Sequence, residues 1–174
     1  MDHSRDLLEQ AKNGDREAFG KLYKEYYSRI YRYARINVFN KLQAEDICQE
    51  VFIKAWKAIP KFSLQETGTF QAFLFRIARN LIIDLSRKKK EVSIEEAENV
   101  PSDEDQFENI SKKENIHIVR NALSRLEEKE RQIIILRYFE DLSHAEVAKI
   151  IGMREGALRV RTIRLLKKMK ELVK

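Results

Sequence analysis

Residues 142–172 read LSHAEVAKIIGMREGALRVRTIRLLKKMKEL, and the fold turns on how this stretch is parsed. Ser143 and Glu146 fit a capping box at a helix start, each side chain closing the other's free backbone N–H. Leu142 and Val147 suit the hydrophobic staple that accompanies such a box. Gly152 stands where a glycine ends a helix in the left-handed conformation. The spacing predicts a short helix over Ser143–Ile151 and a last helix from about Arg154 to Val173.

A short capped helix, a glycine-containing turn and a basic helix make a helix-turn-helix layout. On the last helix Leu158, Thr162, Leu165, Leu166 and Met169 fall on one side, and Val160, Ile163, Arg164 and Lys167 on the other, with Arg159 and Arg161 on the flanks. From 154 to 174 there are eight Lys and Arg against two Glu. A solvated helix closing a bundle would gain nothing from an exposed Val160 and Ile163. A helix lying in a DNA major groove would use both against thymine methyls, and its Arg and Lys against base edges and phosphates.

The totals agree with helices. The chain has 174 residues, 43% apolar and 36% charged, with five glycines and two prolines, so long helical runs meet few breakers and the expected class is all-α. A net charge of +6 suits an anionic partner, although many basic proteins bind nothing anionic. The single cysteine, Cys48, excludes an internal disulfide, and its place on an apolar helix side predicts a buried, inert thiol. The start, MDHSRDLLEQ, lacks a signal layout, and no apolar run is long enough to span a membrane. The expectation is a soluble, cytoplasmic protein. His3, His117 and His144 are scattered, and neither a metal-ligand cluster nor a glycine-rich phosphate loop is written in the chain. No enzyme activity, cofactor or metal is expected.

Charge divides the chain. Residues 91–111 hold eight acids and no Lys or Arg; with +6 overall, the remainder carries +14. The expected organisation is a first helical domain over 1–90, an acidic linker over 91–111 and a second helical domain over 112–174. In the first domain, helices are predicted over Arg5–Lys12, Arg16–Val38, Ala44–Ile59 and Phe70–Lys90, with Ser63–Thr69 a loop. In the second, Lys112–Leu126 and Glu127–Phe139 precede the helix-turn-helix.

Within the first domain, Glu45–Trp56 reads EDICQEVFIKAW. Ile47, Val51, Ala55, Ala58 and Ile59 make one stripe, with Cys48 and Phe52 beside it. Asp46, Gln49, Glu50 and Lys57 make the opposite face, and Ile53 sits among them. An apolar residue within a polar face is a docking patch in outline. On Phe70–Lys90, the predicted core stripe is Phe70, Phe73, Leu74, Ile77, Leu81 and Leu85, and Arg76, Arg79, Asn80, Ile83 and Arg87 gather opposite. Alone, that second face reads most simply as solvated. Two basic helices in two domains suggest a protein touching one DNA at two places.

Three motifs resemble one family. EDICQEVFIKAW is similar to conserved region 2.2 of bacterial extracytoplasmic-function (group IV) sigma factors of the sigma-70 family. FLFRIARNLIIDLSRKKK looks like regions 2.3 and 2.4, and LEEKERQIIILRYFEDLSHAEVAKIIGMREGALRVRTIRL looks like region 4. The resemblance covers roughly 16–90 and 117–172 in the family's order. It implies a sigma region 2 helical bundle and a sigma region 4 helix-turn-helix. It implies an alternative sigma factor that joins core RNA polymerase, through the β′ clamp helices and the β subunit, and directs promoter-specific transcription initiation.

Asp46, Gln49, Glu50, Ile53 and Lys57 would meet the polymerase. The −10 element would fall to Ser63, Gln65 and Thr67 of the base-capturing loop and to Arg76, Ile77, Arg79, Asn80, Ile83 and Arg87, with Asn80 at the base-reading position. The −35 element would fall to Arg137, Arg154, Arg159, Val160, Arg161, Ile163, Arg164 and Lys167. An anti-sigma factor is implied as a further partner. The chain departs from the pattern at Glu127 and Arg154, where Pro is usual, and at Phe73, Ala157, Val160 and Thr162. The competing reading is an autonomous helix-turn-helix transcription regulator whose first domain senses or dimerises. A regulator would bind its duplex site alone, whereas a sigma factor of this kind would need core polymerase.

Overall fold

The computed structural model describes residues 3–38, 40–64, 68–92 and 118–173. The chain separates into two compact units, Met1–Ser102 and Asp103–Lys174. The described residues are helical with no strand, as the composition predicts.

In the first unit, short polar side chains start the helices. Helix α1 (His3–Lys12) stops at a turn whose Gly14 has φ of 92°, a left-handed value that glycine adopts without strain. Asp15 then caps α2 (Arg16–Val38), its Oδ1 accepting from the N–H groups of Glu17 at 2.8 Å and Ala18 at 3.1 Å. Asn40 caps α3 (Lys41–Ala58), its Oδ1 accepting from Gln43 N–H at 2.9 Å. The start expected at Ala44 is therefore three residues late, because the Asn40 cap is the earlier signal. The chain continues past Ala58 as a 3₁₀ turn, Ile59–Lys61, with Pro60 near its start, where a missing N–H costs nothing. Thr69 Oγ1 accepts from Ala72 N–H at 3.1 Å at the head of α4 (Phe70–Val92). Helix α4 runs two residues into the stretch expected as linker; residues 93–111 lie outside the described residues, as do 112–117.

Helix α2 packs on α1, α3 and α4, and α3 packs on α4. The core holds Leu22, Ile30 and Tyr33 from α2, Ile47, Cys48, Val51, Phe52 and Ala55 from α3, and Leu74, Phe75, Ala78 and Ile82 from α4. Tyr33 and Phe75 meet edge to face at 5.2 Å. Burying a side chain such as Phe75 contributes about 1.5–3 kcal/mol. The structure corrects the α4 stripe: Phe73, Ile77, Leu81 and Leu85 are half-buried, and Phe75, Ala78 and Ile82 take the inner positions. FQAFLFRIARNLII is apolar over most of its circumference, so periodicity alone supports more than one inward face. The small Ala72 and Ala78, both buried, are on the face that packs. Ala58, placed in the α3 stripe by spacing, is exposed.

In the second unit, residues 118–124 are helical (α5), followed by α6 (Glu128–Ile134), α7 (His144–Ile151) and α8 (Glu155–Leu172). The single helix expected over Glu127–Phe139 instead starts after an extended Glu127 and widens into a π turn over Ile135–Phe139. Glu140 N–H bonds back to Ile135 C=O at 3.1 Å, and Leu142 N–H to Leu136 C=O at 3.1 Å. Asp141 has φ of 52°, a conformation Asp tolerates better than most residues. This turn delivers Leu142, buried, to the head of α7 beside buried Val147.

The capping box forms as expected. Glu146 N–H donates to Ser143 Oγ at 3.2 Å, and Ser143 N–H donates to Glu146 Oε2 at 2.9 Å. Gly152 closes α7 at φ 74° and ψ 48°, a position where an L-residue would cost about 1–2 kcal/mol. Helix α8 starts after Arg154 and buries Leu158, Thr162 and Leu165. The Thr162 hydroxyl donates to Leu158 C=O at 2.8 Å, so its burial leaves no unmet donor. Leu166, expected on the inner side, is 42% exposed. Among the described residues, no helix is long and apolar enough to cross a membrane, and no group of His, Cys, Asp and Glu is placed to hold a metal ion.

Candidate protein and nucleic-acid interfaces

Three faces carry the residues singled out by sequence. The first is the outer side of α3. Ile53 is 48% exposed, ringed by exposed Asp46, Gln49 and Lys57 and by half-buried Glu50, whose carboxylate pairs with Lys54 at 3.6 Å. Leu42 is 69% exposed and lies eleven residues before Ile53, three helical turns, on the same face. Sequence reasoning missed it; the spacing to Ile53 was the available signal.

An aromatic row borders this face. Phe19 and Trp56 lie 5.0 Å apart, Tyr23 and Phe52 4.6 Å, and Tyr23 and Tyr27 5.2 Å, while Tyr27 and Tyr31 stack at 6.0 Å. Beneath it, Cys48 is fully buried with its Sγ 3.9 Å from the Tyr27 carbonyl. Burial pushes the Cys48 thiol up to about 12, so the thiolate does not form near neutrality. An apolar centre inside a polar rim is suited to docking a protein.

The second face lies on α4. Asn80 and Arg87 are exposed, and Arg76, Ile77, Arg79 and Ile83 are half-buried. Arg76, Asn80, Ile83 and Arg87 follow one another at spacings of four, three and four, so they share one stripe. Arg79 lies off this stripe, with its Nε buried and lacking a hydrogen bond. Ser63 is half-buried, and Gln65 and Thr67 lie outside the described residues. The stretch expected as a loop is partly closed, because Gly68 N–H donates to Leu64 C=O at 2.9 Å with Gly68 at φ 82°.

The third face is the outer side of α8. Val160 is 52% and Ile163 59% exposed. Exposed Arg164 and Lys167 accompany them, and neither is in an ion pair among the described residues. Arg159 is also exposed but is held by Glu155 at 2.6 Å. Arg154 is exposed at the N-cap with extended backbone.

Two further cations from the expected set are, like Arg159, engaged within the unit. Arg161 is half-buried and reaches Glu130 at 3.7 Å. Arg137 is half-buried, donates to Leu142 C=O at 3.1 Å and lies over the Tyr138 ring at 5.6 Å, which fixes the turn into α7. Burial, then the positive charge of Arg137 and Arg159, lowers the His144 pKa, with Glu155 opposing. A helix of this width with exposed methyls and cations on one side fits a major groove.

The chain matches Sigma-70 region 2 over residues 22–92 and Sigma-70 region 4 over residues 116–169. It is 34% identical to the ECF RNA polymerase sigma factor BldN of Streptomyces coelicolor, over 97% of this chain and 65% of that protein. It is 30% identical to the ECF RNA polymerase sigma factor SigW of Bacillus subtilis, over 88% of each. Among solved structures, that of CnrH in complex with the cytosolic domain of CnrY is similar, with a TM-score of 0.77 at 27% identity over 99% of this chain and 97% of that one. The sigma factor RpoE of Bartonella quintana, in complex with the anti-sigma factor NepR, shares the fold with a TM-score of 0.72 at 24% identity, over 89% of this chain and 96% of that one. With both sigma-70 regions matched in order on two helical units, the chain belongs to the extracytoplasmic-function sigma factors of the sigma-70 family, the alternative sigma subunits of RNA polymerase.

Proposed function

We propose that the chain joins core RNA polymerase in the cytoplasm through the α3 face and directs initiation at promoters read at two places. Residues 1–90 form the polymerase-binding and −10 domain, 91–111 an acidic connector and 112–174 the −35 domain. Leu42 and Ile53 anchor the β′ contact, Asp46, Gln49, Glu50 and Lys57 rim it, and the β subunit completes the assembly. Arg76, Asn80, Ile83 and Arg87 meet the opened −10 strand, where an amide can hydrogen-bond an unstacked base and guanidinium groups can take phosphates. Val160, Ile163, Arg164 and Lys167 meet the −35 major groove. The protein's own role is positioning and recognition, with no bond made or broken by its side chains.

A protein regulator belongs to this reading. CnrH is held in a complex with the cytosolic domain of CnrY. By that likeness we infer a protein partner for this chain, and by the family to which it belongs an anti-sigma factor, covering the faces that polymerase and promoter otherwise use.

The observation that carries the reading is the α8 face. Val160 and Ile163 are more than half exposed on the side opposite buried Leu158, Thr162 and Leu165. Such apolar side chains contribute nothing to a solvated helix and much to a groove contact. The test is run-off transcription with core polymerase over a promoter library, beside a footprint with the chain alone. The expected result is transcripts from a defined two-element promoter set and no specific footprint without polymerase. A specific duplex footprint by the chain alone, with no binding to core polymerase, would establish the autonomous regulator instead.

A further inference from the structure

In the second unit one carboxylate, Glu130, pairs with two cations of α8 at once. Glu130 lies on α6, and its side chain is 14% exposed. Lys168 Nζ lies 2.7 Å from its Oε2, and Arg161 Nη2 lies 3.7 Å from its Oε1. Arg161 and Lys168 are seven residues apart, two turns of α8, so both project from the same stripe. Each carboxylate oxygen therefore faces a different turn of the helix. The three residues line a groove of about 650 Å³ together with Val160 and Arg164, the proposed base readers.

Two contacts at separate turns restrain rotation of a helix about its axis in a way that one contact does not. They also remove two cations from the surface offered to DNA. Arg161, on the flank of α8, reaches α6 through its ion pair with Glu130. Arg164 and Lys167 remain outside this network.

We propose that Glu130 is a positioning residue for −35 discrimination: by holding Arg161 and Lys168 against α6 it sets the rotation of α8, so that Val160, Ile163 and Arg164 address base edges while two cations are kept off the phosphates. This rests on the −35 reading above. Without Glu130, Arg161 and Lys168 become available for sequence-independent phosphate contacts, and specificity falls as non-specific affinity rises.

The test uses the full chain in complex with core polymerase and two readouts. One is the ratio of transcription from a promoter with an optimal −35 element to that from one with the element scrambled. The other is the salt dependence of duplex binding, whose log–log slope changes by about 0.9 for each phosphate neutralised on B-DNA. E130Q is expected to lower the ratio severalfold and to steepen the slope by one to two contacts. An unchanged ratio and slope in E130Q would overturn the proposal. K168M, altering an exposed head of the same pair, gives an independent check. It is expected to leave the slope unchanged; a slope shallower by about one contact would place Lys168 on a phosphate and also overturn the proposal. A wild-type ratio near one would instead sink the −35 reading itself, and this role with it.

Discussion

Ile47 and Ile53 lie on one helix, six residues apart, with Ile47 7% and Ile53 48% exposed. The same kind of side chain thus has two environments, set by which side of α3 it occupies. Ile47 lies in the α2–α3–α4 core, whereas Ile53 stands in a polar ring with Leu42 three turns away. Changing Ile53 to Asp is expected to weaken core polymerase binding at least tenfold, about 1.4 kcal/mol. The helix signal in circular dichroism and the melting temperature should stay near wild type. Ile47→Asp is the control and is expected to unfold the unit, because it buries an unpaired charge. Equal melting losses in the two variants would put Ile53 in the core and refute the docking face.

Ser143→Ala removes half of the reciprocal cap on α7. The expected loss is about 1 kcal/mol, within the range of about 0.5–2 kcal/mol measured for N-cap replacements. Urea denaturation of the chain, followed at the transition of the second unit, measures it. A loss below a few tenths of a kcal/mol would mean that packing of Leu142 and Val147 alone starts the helix.

Arg164→Ala tests the readers directly. Arg164 is exposed beside Val160 on α8 and lies outside the Glu130 network. Loss of a bidentate base contact is expected to relax −35 discrimination by about 1–3 kcal/mol at the affected position. Transcription with core polymerase from a set of −35 variants reads this out. Preferences identical to wild type at every position would remove Arg164 from the readers.

Cys48 links reactivity to pH. Its thiol is pushed from 9.0 to about 12 by burial, so the folded state disfavours the thiolate. A group with a raised folded pKa contributes stability that is complete below the unfolded value and is lost as pH rises toward the folded one. Stability of the first unit is therefore expected to fall between about pH 9 and pH 12. Alkylation at pH 8 should be far slower in the native chain than after unfolding, with the first unit's unfolding controlling the rate. Rapid modification of the native protein at free-thiol rates would contradict the buried environment.

Much of the fold was legible along the chain because its signals are local. The Ser143–Glu146 box, the Gly152 stop and the Pro60 break each act within a few residues, and each lies at or beside the boundary it predicts. Asn40 is equally local: its side chain starts α3 three residues before Ala44. The apolar phase of α3 was readable because only one side of that helix is continuously apolar, which is why Ile53 could be picked out. Val160 and Ile163 stood out on α8 for the same reason, and their exposure follows from it.

Helix α4 shows where the linear pattern stopped. Its apolar residues allow several inward faces, and contact with α2 and α3 selects Leu74, Phe75, Ala78 and Ile82, where small alanines permit close packing. The roles of the cations were hidden in the same way. Arg137, Arg161 and Arg164 are alike in sequence, yet Arg137 is bonded to a backbone carbonyl, Arg161 faces Glu130 and Arg164 stands clear. Most helices, the Ser143–Glu146 cap and the anomalous apolar residues follow from the chain's local order, since hydrogen-bond closure and helical period involve neighbours only. The tertiary structure alone decided which stripe turns inward and which charges stay available, because those depend on partners brought together from distant parts of the chain.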